Sequence, residues 1–248
     1  MKHKDTNPDM NNILTENSHF SVVEAYKVLR ANINFAIPKT DCKKIMICSS
    51  YSREGKTTTC VNLAITIAQT GAEVLLIDCD LRRSRLHELL NLSNDTGISN
   101  YLSNQADIQD IIKDTHIPSL HVITAGDISP NPAELLSSSK MVSLFEEFQG
   151  IIDYLIIDTP PICVVADALP LLKICDGVIL VVRHLVTSHN NIKEALEKLN
   201  FAGANVIGMI LNGIEIKRSS KKYGKYGGYP YNYYNYSDTS EKNNIKDD

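Results

Sequence analysis

Short apolar runs punctuate the chain at 43–48, 73–79 (EVLLIDC), 120–124 (LHVIT), 153–158 (DYLIID), 177–182 (GVILVV) and 205–211 (NVIGMIL). Several of these read as near-continuous apolar runs, which suits strands of a parallel sheet covered on both faces. Helical periodicity fills the gaps at 57–70, 84–91, 133–149 (with an interruption), 164–174 and 188–201. Gly71 is placed as a helix terminator and Ser188 as an N-cap. Two short helical turns are expected near 98–104 and 107–113, and Ser129-Pro130-Asn131-Pro132 reads as a stiff turn opening a helix. A further helix precedes the first strand. Ser21 and Glu24 form an S-x-x-E capping box, Val22, Tyr26, Leu29 and Ile33 supply its apolar positions, and Pro38 ends it. Strand–helix alternation of this kind predicts an α/β fold with a doubly wound, mostly parallel sheet, in which ligands gather at the carboxyl ends of the strands.

The two ends read differently. Residues 1–20 are polar and aperiodic and are expected to form a mobile arm. Residues 21–215 carry the pattern of one domain, with 21–37 a candidate oligomerisation helix. From 216 to 248 the composition changes abruptly to Tyr, Gly, Asn, Ser and Lys, with Tyr223, Tyr226, Tyr229, Tyr231, Tyr233, Tyr234 and Tyr236 holding seven of the eleven tyrosines. Such a segment has too little aliphatic surface to bury a core, so a disordered C-terminal tail is expected.

Composition adds limits. At 248 residues the chain can build one large core without staples. A net charge of −4 gives no global reason to expect a nucleic-acid partner. No apolar run approaches the roughly 20 residues that span a bilayer, and MKHKDTNPDMNN is too polar for a signal peptide; a cytoplasmic protein is the expectation. Cys42, Cys48, Cys60, Cys79, Cys163 and Cys175 form no CxxC pair and read as free thiols.

Chemistry enters at the end of the first strand. Ser50 to Thr57 has the spacing of a phosphate loop, four residues and then Gly55-Lys56-Thr57, with Ser50 where the first Gly usually stands. Such a loop points backbone N–H groups at a polyanion, sends a Lys to the β/γ-phosphates and offers a hydroxyl to Mg²⁺. Ser52, Arg53, Glu54, Gly55, Lys56, Thr57 and Thr58 are therefore candidate nucleotide contacts. Asp78 and Asp80 end the second strand and Asp158 ends a later one. In a doubly wound sheet these carboxylates lie beside the loop, where they can hold Mg²⁺ and accept a proton from an attacking hydroxyl. Asn212, after the last strand, is placed to meet a base edge, or equally to end the strand with a turn. Tyr51 occupies the position at which switch ATPases of division and partition carry a signature Lys, and no N-K-x-D motif for a guanine base is present.

The ensemble resembles the bacterial tyrosine kinases, the cytoplasmic kinase half of capsule and exopolysaccharide regulators from Gram-positive bacteria. The resemblance rests on SREGKTT (Walker A), VLLIDCDLR (Walker A′), YLIIDTPP (Walker B), the SPNPAELL segment, the EAYKVLR helix and the tyrosine-rich tail, and covers 21–236. It implies a P-loop NTPase fold, ATP and Mg²⁺ as cofactors, protein tyrosines as substrates, a separate transmembrane activator protein that brings the kinase to the inner face of the plasma membrane, and a cognate phosphotyrosine phosphatase. Carried over by position, Lys56 binds the β/γ-phosphates, Thr57 ligates Mg²⁺, and Asp78 is the base, with Asp80 and Asp158 at the metal. Arg82 matches the A′ arginine. Glu24, Lys27 and Arg30 fall on the family's E-x-x-R-x-x-R helix, which joins subunits into a homo-oligomeric ring. The same spacing also describes a solvated face with a local Glu24–Lys27 pair, and Lys27 lacks the planar fork of Arg. The family loop usually reads Pro-Gly-Glu-Gly-Lys, so Ser52 and Arg53 depart from it. If position 53 needs φ > 0, Arg there costs on the order of 1 kcal/mol.

The expected function is therefore ATP-dependent tyrosine phosphorylation with the tail as first substrate, in control of capsular or exopolysaccharide synthesis. About 20 residues of tail reach at most roughly 65 Å, enough to enter a neighbour's site. Seven phosphotyrosines would add roughly −10 to −14 charge, enough to loosen a ring. The competing readings are an ATPase switch without kinase activity and a scaffold with an impaired nucleotide site.

Overall fold

A computed structural model describes residues 12–38 and 40–214. The tyrosine cluster and the first part of the expected arm lie outside these residues. Seven strands form one sheet in the order β3-β4-β2-β5-β1-β6-β7, and every pairing is parallel except β3 with β4. They are β1 (Lys43–Ser49), β2 (Val74–Asp78), β3 (Ile112–Asp114), β4 (Leu120–Ile123), β5 (Tyr154–Asp158), β6 (Gly177–Arg183) and β7 (Val206–Asn212). The helices are α1 (Phe20–Ala36), α2 (Lys56–Ala68), α3 (Leu86–Leu90), α4 (Ile98–Leu102), α5 (Ile108–Ile111), α6 (Pro132–Leu136), α7 (Ser139–Glu147) and α8 (His189–Phe201). The doubly wound α/β fold expected from the apolar runs is the one present.

Period-two alternation divides each central strand between two cores. On β1, Ile45 and Ile47 face the side covered by α1, α2 and α3, whereas Met46 and Cys48 face Met141, Phe145, Ala195 and Leu199 of α7 and α8. Continuous apolar runs follow from this two-sided burial. The six thiols are free, and Cys42, Cys48, Cys60 and Cys79 are buried.

Local chemistry explains where elements begin and end. α2 stops at Ala68 and Gly71 takes φ +84, as a terminator must. Ser188 caps α8 by accepting the Asn191 N–H. Ile37, ahead of Pro38, is extended at φ −104 and ψ 125, which ends α1.

Several expectations are corrected. The Ser21–Glu24 capping box does not form: α1 starts one residue earlier, His19 Nδ1 accepts the Ser21 N–H, and the buried Ser21 hydroxyl lies 2.6 Å from the same ring nitrogen. The helix expected over 164–174 is a set of turns followed by a 3₁₀ segment, Leu169–Lys173; Pro170 has no N–H to give and disfavours helical geometry at Leu169. The turn expected over 107–113 closes after Ile111, and Ile112–Asp114 pairs antiparallel with β4. The arm is anchored from Asn12 onward: Asn62 Oδ1 accepts the Leu14 N–H at 2.8 Å, Asn62 Nδ2 donates to the Asn12 carbonyl at 2.9 Å, and Leu14 is buried. Among the described residues no helix is long and apolar enough to cross a membrane.

Candidate active site

β1, β2 and β5 are adjacent and parallel, so their carboxyl ends bring the loop 50–55, Asp78 and Asp158 to one edge. Asp78 and Asp158 are register partners. Lys56 opens α2 directly after the loop and its Nζ lies 3.0 Å from Asp80 Oδ2, 3.3 Å from Asp158 Oδ1 and 3.4 Å from Thr57 Oγ1. The four charged groups expected to converge are therefore together and buried.

Their electrostatics follow from that burial. Desolvation alone would lower Lys56, but Asp158 and Asp80 outweigh it and hold the ammonium above its ordinary value. Asp78 is pushed up to about 7, first by burial and then by the neighbouring Asp158 charge. Its carboxylate accepts hydrogen bonds from the Ser84 hydroxyl at 2.9 Å and the Asp80 N–H at 3.1 Å. Asp158 is also raised, mainly by burial, against the pull of Lys56. Its Oδ2 is buried with no partner among the described residues, as is the Ser50 hydroxyl in the loop. Buried oxygens are rarely left unpaired. A hard cation that takes oxygen ligands, with phosphates and waters completing its shell, fits the donor set of Thr57, Asp80 and Asp158.

The loop itself is bent at two points. Arg53 adopts φ +67 and Gly55 φ +94. At Gly55 a Cβ would also strike Asn212 Nδ2, so both conformation and space call for glycine there. Arg53 takes the left-handed conformation considered from the sequence. Ser52 and Arg53 are exposed, while Thr57 and Thr58 are half-buried at the start of α2.

Other expected contacts are directed elsewhere. The Glu54 carboxylate is buried and turned into the protein, accepting the Thr187 hydroxyl at 2.6 Å and the Tyr51 N–H at 3.1 Å; only its backbone is available to a nucleotide. Arg82 forms a bidentate pair with the buried Asp167, Nε to Oδ2 at 2.5 Å and Nη2 to Oδ1 at 3.1 Å, and so joins the A′ segment to the stretch after β5. Asn212 gives one N–H to the Glu54 carbonyl at 3.0 Å and accepts the Gly213 N–H; its second N–H has no hydrogen-bond partner among the described residues. Glu24 and Lys27 pair at 2.7 Å on the exposed side of α1, whereas Arg30 turns to the Thr66 carbonyl at the end of α2. The three do not share one free face in a single chain.

Comparison with known proteins places this geometry. The family profile described as an AAA domain matches residues 42–208. The chain is 36% identical over 203 residues to the putative tyrosine-protein kinase CapB of Staphylococcus aureus, covering 82% of this chain and 89% of that protein. It is 40% identical over 201 residues to tyrosine-protein kinase YwqD of Bacillus subtilis, covering 81% and 84%. The chain belongs to the bacterial tyrosine kinases. The solved kinase domain of Escherichia coli tyrosine kinase ETK superposes with a TM-score of 0.79 at 35% identity, over 92% of this chain and 88% of that one.

Within this kinase, sequence reading missed four residues that shape the site. Ser84 donates to Asp78, Asp167 holds Arg82, and Thr187 and Arg183 grip the loop. Ser84 lies close to the A′ motif and could have been found there. The others act across separations of 85 residues or more, which leave no local spacing to read.

Proposed function

We propose that this bacterial tyrosine kinase transfers the γ-phosphoryl group of ATP to tyrosine hydroxyls, taking Tyr223 to Tyr236 of a neighbouring copy as its first substrates. The observation that carries the reading is the buried set of Lys56, Asp78, Asp80 and Asp158 on one sheet edge, with Asp78 near neutrality. A carboxylate titrating near pH 7 is suited to take a proton from an incoming phenol. Lys56 is free to exchange its two carboxylate partners for β/γ-phosphate oxygens. Thr57, Asp80 and Asp158 would hold Mg²⁺, which supplies charge neutralisation at the transferred phosphate. Loop N–H groups and the remaining N–H of Asn212 complete the candidate nucleotide contacts. Arg82 orders the A′ segment through Asp167.

One relative, 35% identical, is a putative tyrosine-protein kinase in the cps region of Klebsiella pneumoniae, and we read the role of this chain as control of capsular or exopolysaccharide synthesis. In this reading it works at the inner face of the plasma membrane, recruited by a separate transmembrane activator and reversed by a phosphotyrosine phosphatase. Glu24, Lys27 and Arg30 would contribute to a ring. That use requires Arg30 to leave Thr66 or to act from where it stands.

The test is incubation of the full chain with Mg²⁺, labelled ATP and the activator's cytoplasmic segment. Phosphotyrosine should form in the tail and vanish in Lys56→Met and in a truncation at Ser219. Oligomers should shrink as label accumulates. Hydrolysis without phosphotyrosine would mean an ATPase switch, and absence of nucleotide binding would mean a scaffold.

A further inference from the structure

The phosphate loop carries arginine at a position whose backbone is left-handed, φ +67. L-residues other than glycine enter this region at a cost, so something outside residue 53 must favour it. The neighbouring turn supplies the restraint. Arg183, the last residue of β6, donates from Nη1 to the Arg53 carbonyl at 3.0 Å. Four residues on, Thr187 donates to the buried Glu54 carboxylate at 2.6 Å. The same Thr187 oxygen accepts the Arg183 N–H at 2.7 Å, and the Arg183 carbonyl accepts the amides of Val186 and Thr187 at 3.1 and 2.9 Å. One tight turn therefore holds two consecutive loop residues, while Asn212, the register partner of Arg183 on β7, fixes the Glu54 carbonyl.

The direction of the grip matters. The carbonyl and N–H of a trans peptide point opposite ways. Drawing the Arg53 carbonyl toward Arg183 turns the Glu54 N–H of the same peptide away from Arg183. We propose that Arg183 is a positioning residue for ATP, which fixes the 53–54 peptide with its N–H toward the phosphates and thereby lets the loop carry arginine in place of glycine. The inference rests on reading this loop as the ATP site.

The dependence is testable because glycine at 53 needs no external help. Binding of Mg²⁺ with a fluorescent ADP analogue to the full chain is measured for the wild type, Arg183→Ala, Arg183→Lys, Arg53→Gly and Arg53→Gly/Arg183→Ala, with the KM for ATP and kcat taken in parallel. Arg183→Ala should weaken nucleotide binding and raise KM about five- to tenfold, with kcat moving far less. Arg183→Lys, which keeps one donor, should recover part of the loss. In the Arg53→Gly background, removing Arg183 should change binding by less than about twofold. Unchanged binding in Arg183→Ala overturns the proposal. So does an equal loss in both backgrounds, which would make Arg183 a direct phosphate contact or a general support of the fold. If the wild type itself fails to bind the analogue, the ATP-site reading falls, and this inference with it.

Discussion

Gly55 and Asn212 occupy each other's space: a Cβ on Gly55 would lie 1.9 Å from Asn212 Nδ2, which itself holds the Glu54 carbonyl. The last strand thus closes against the phosphate loop, and a methyl group at 55 must either expel Asn212 or distort a backbone at φ +94. Gly55→Ala is expected to weaken ATP binding at least tenfold, and Asn212→Ala by less. Calorimetric titration with Mg·ATP checks the order; a Gly55→Ala protein that binds normally would refute it.

Removing the Lys56 ammonium leaves Asp80 and Asp158 buried beside each other without their cation. Breaking a buried pair from one side costs on the order of 3 kcal/mol, and the stranded Asp158, already raised by burial and held down by Lys56, recovers by taking up a proton. Lys56→Met should therefore lower the melting temperature of the nucleotide-free protein at pH 8 and do so less at pH 5.5. An equal loss at both values would count against it.

Asp78 has its pKa raised from 3.8 to about 7. The folded state binds this proton more tightly than the unfolded chain, so the contribution is complete below about pH 4, declines as pH climbs, and is gone above about 7. In metal-free buffer Asp78→Asn, which cannot ionise beside Asp158, should melt higher than the wild type at pH 8, and the gap should close toward pH 5. The same variant should form no phosphotyrosine. Identical melting curves for the two proteins at pH 8 would exclude the shift.

Arg82 and Asp167 make two parallel hydrogen bonds that a lysine cannot reproduce. Arg82→Lys and Asp167→Asn should each reduce phosphotyrosine formation more than ATP affinity, and together should cost little beyond either alone. Additive losses in this double-mutant cycle would show independent roles.

His19 serves as the cap of α1. His19→Ala is expected to destabilise the protein by about 0.5–1 kcal/mol, and His19→Asp to restore it. Urea unfolding of the three proteins decides the point.

The parts legible in the sequence were those with local signatures. Buried on both faces, β1, β2, β5 and β6 announce themselves as apolar runs, and the strand-then-loop order of Ser50 to Thr57 and of Asp78 to Asp80 sets the sheet edge. β3 was not legible because Ile112, Lys113 and Asp114 carry no strand pattern and extend only by pairing with β4. The stretch 164–174 imitates a helix in its apolar spacing, and Pro170 prevails over the spacing. Ser21 satisfied the capping-box pattern, yet His19, two residues earlier in the chain, accepted its amide. The partners of the Glu54 carboxylate and the Asn212 amide were not legible, since Thr187 and the loop carbonyl come from 133 and 158 residues away.

Lys56 already has two counterions, Asp80 and Asp158, before any nucleotide arrives. In the proposed reading, loading the site with Mg·ATP is therefore an exchange of ions rather than a simple addition. A triphosphate that drew the ammonium away by itself would strand two carboxylates, and a cation that claimed the carboxylates by itself would crowd the ammonium. Each half of Mg·ATP relieves the imbalance the other creates, so affinity for the nucleotide and affinity for the metal are bound to rise together.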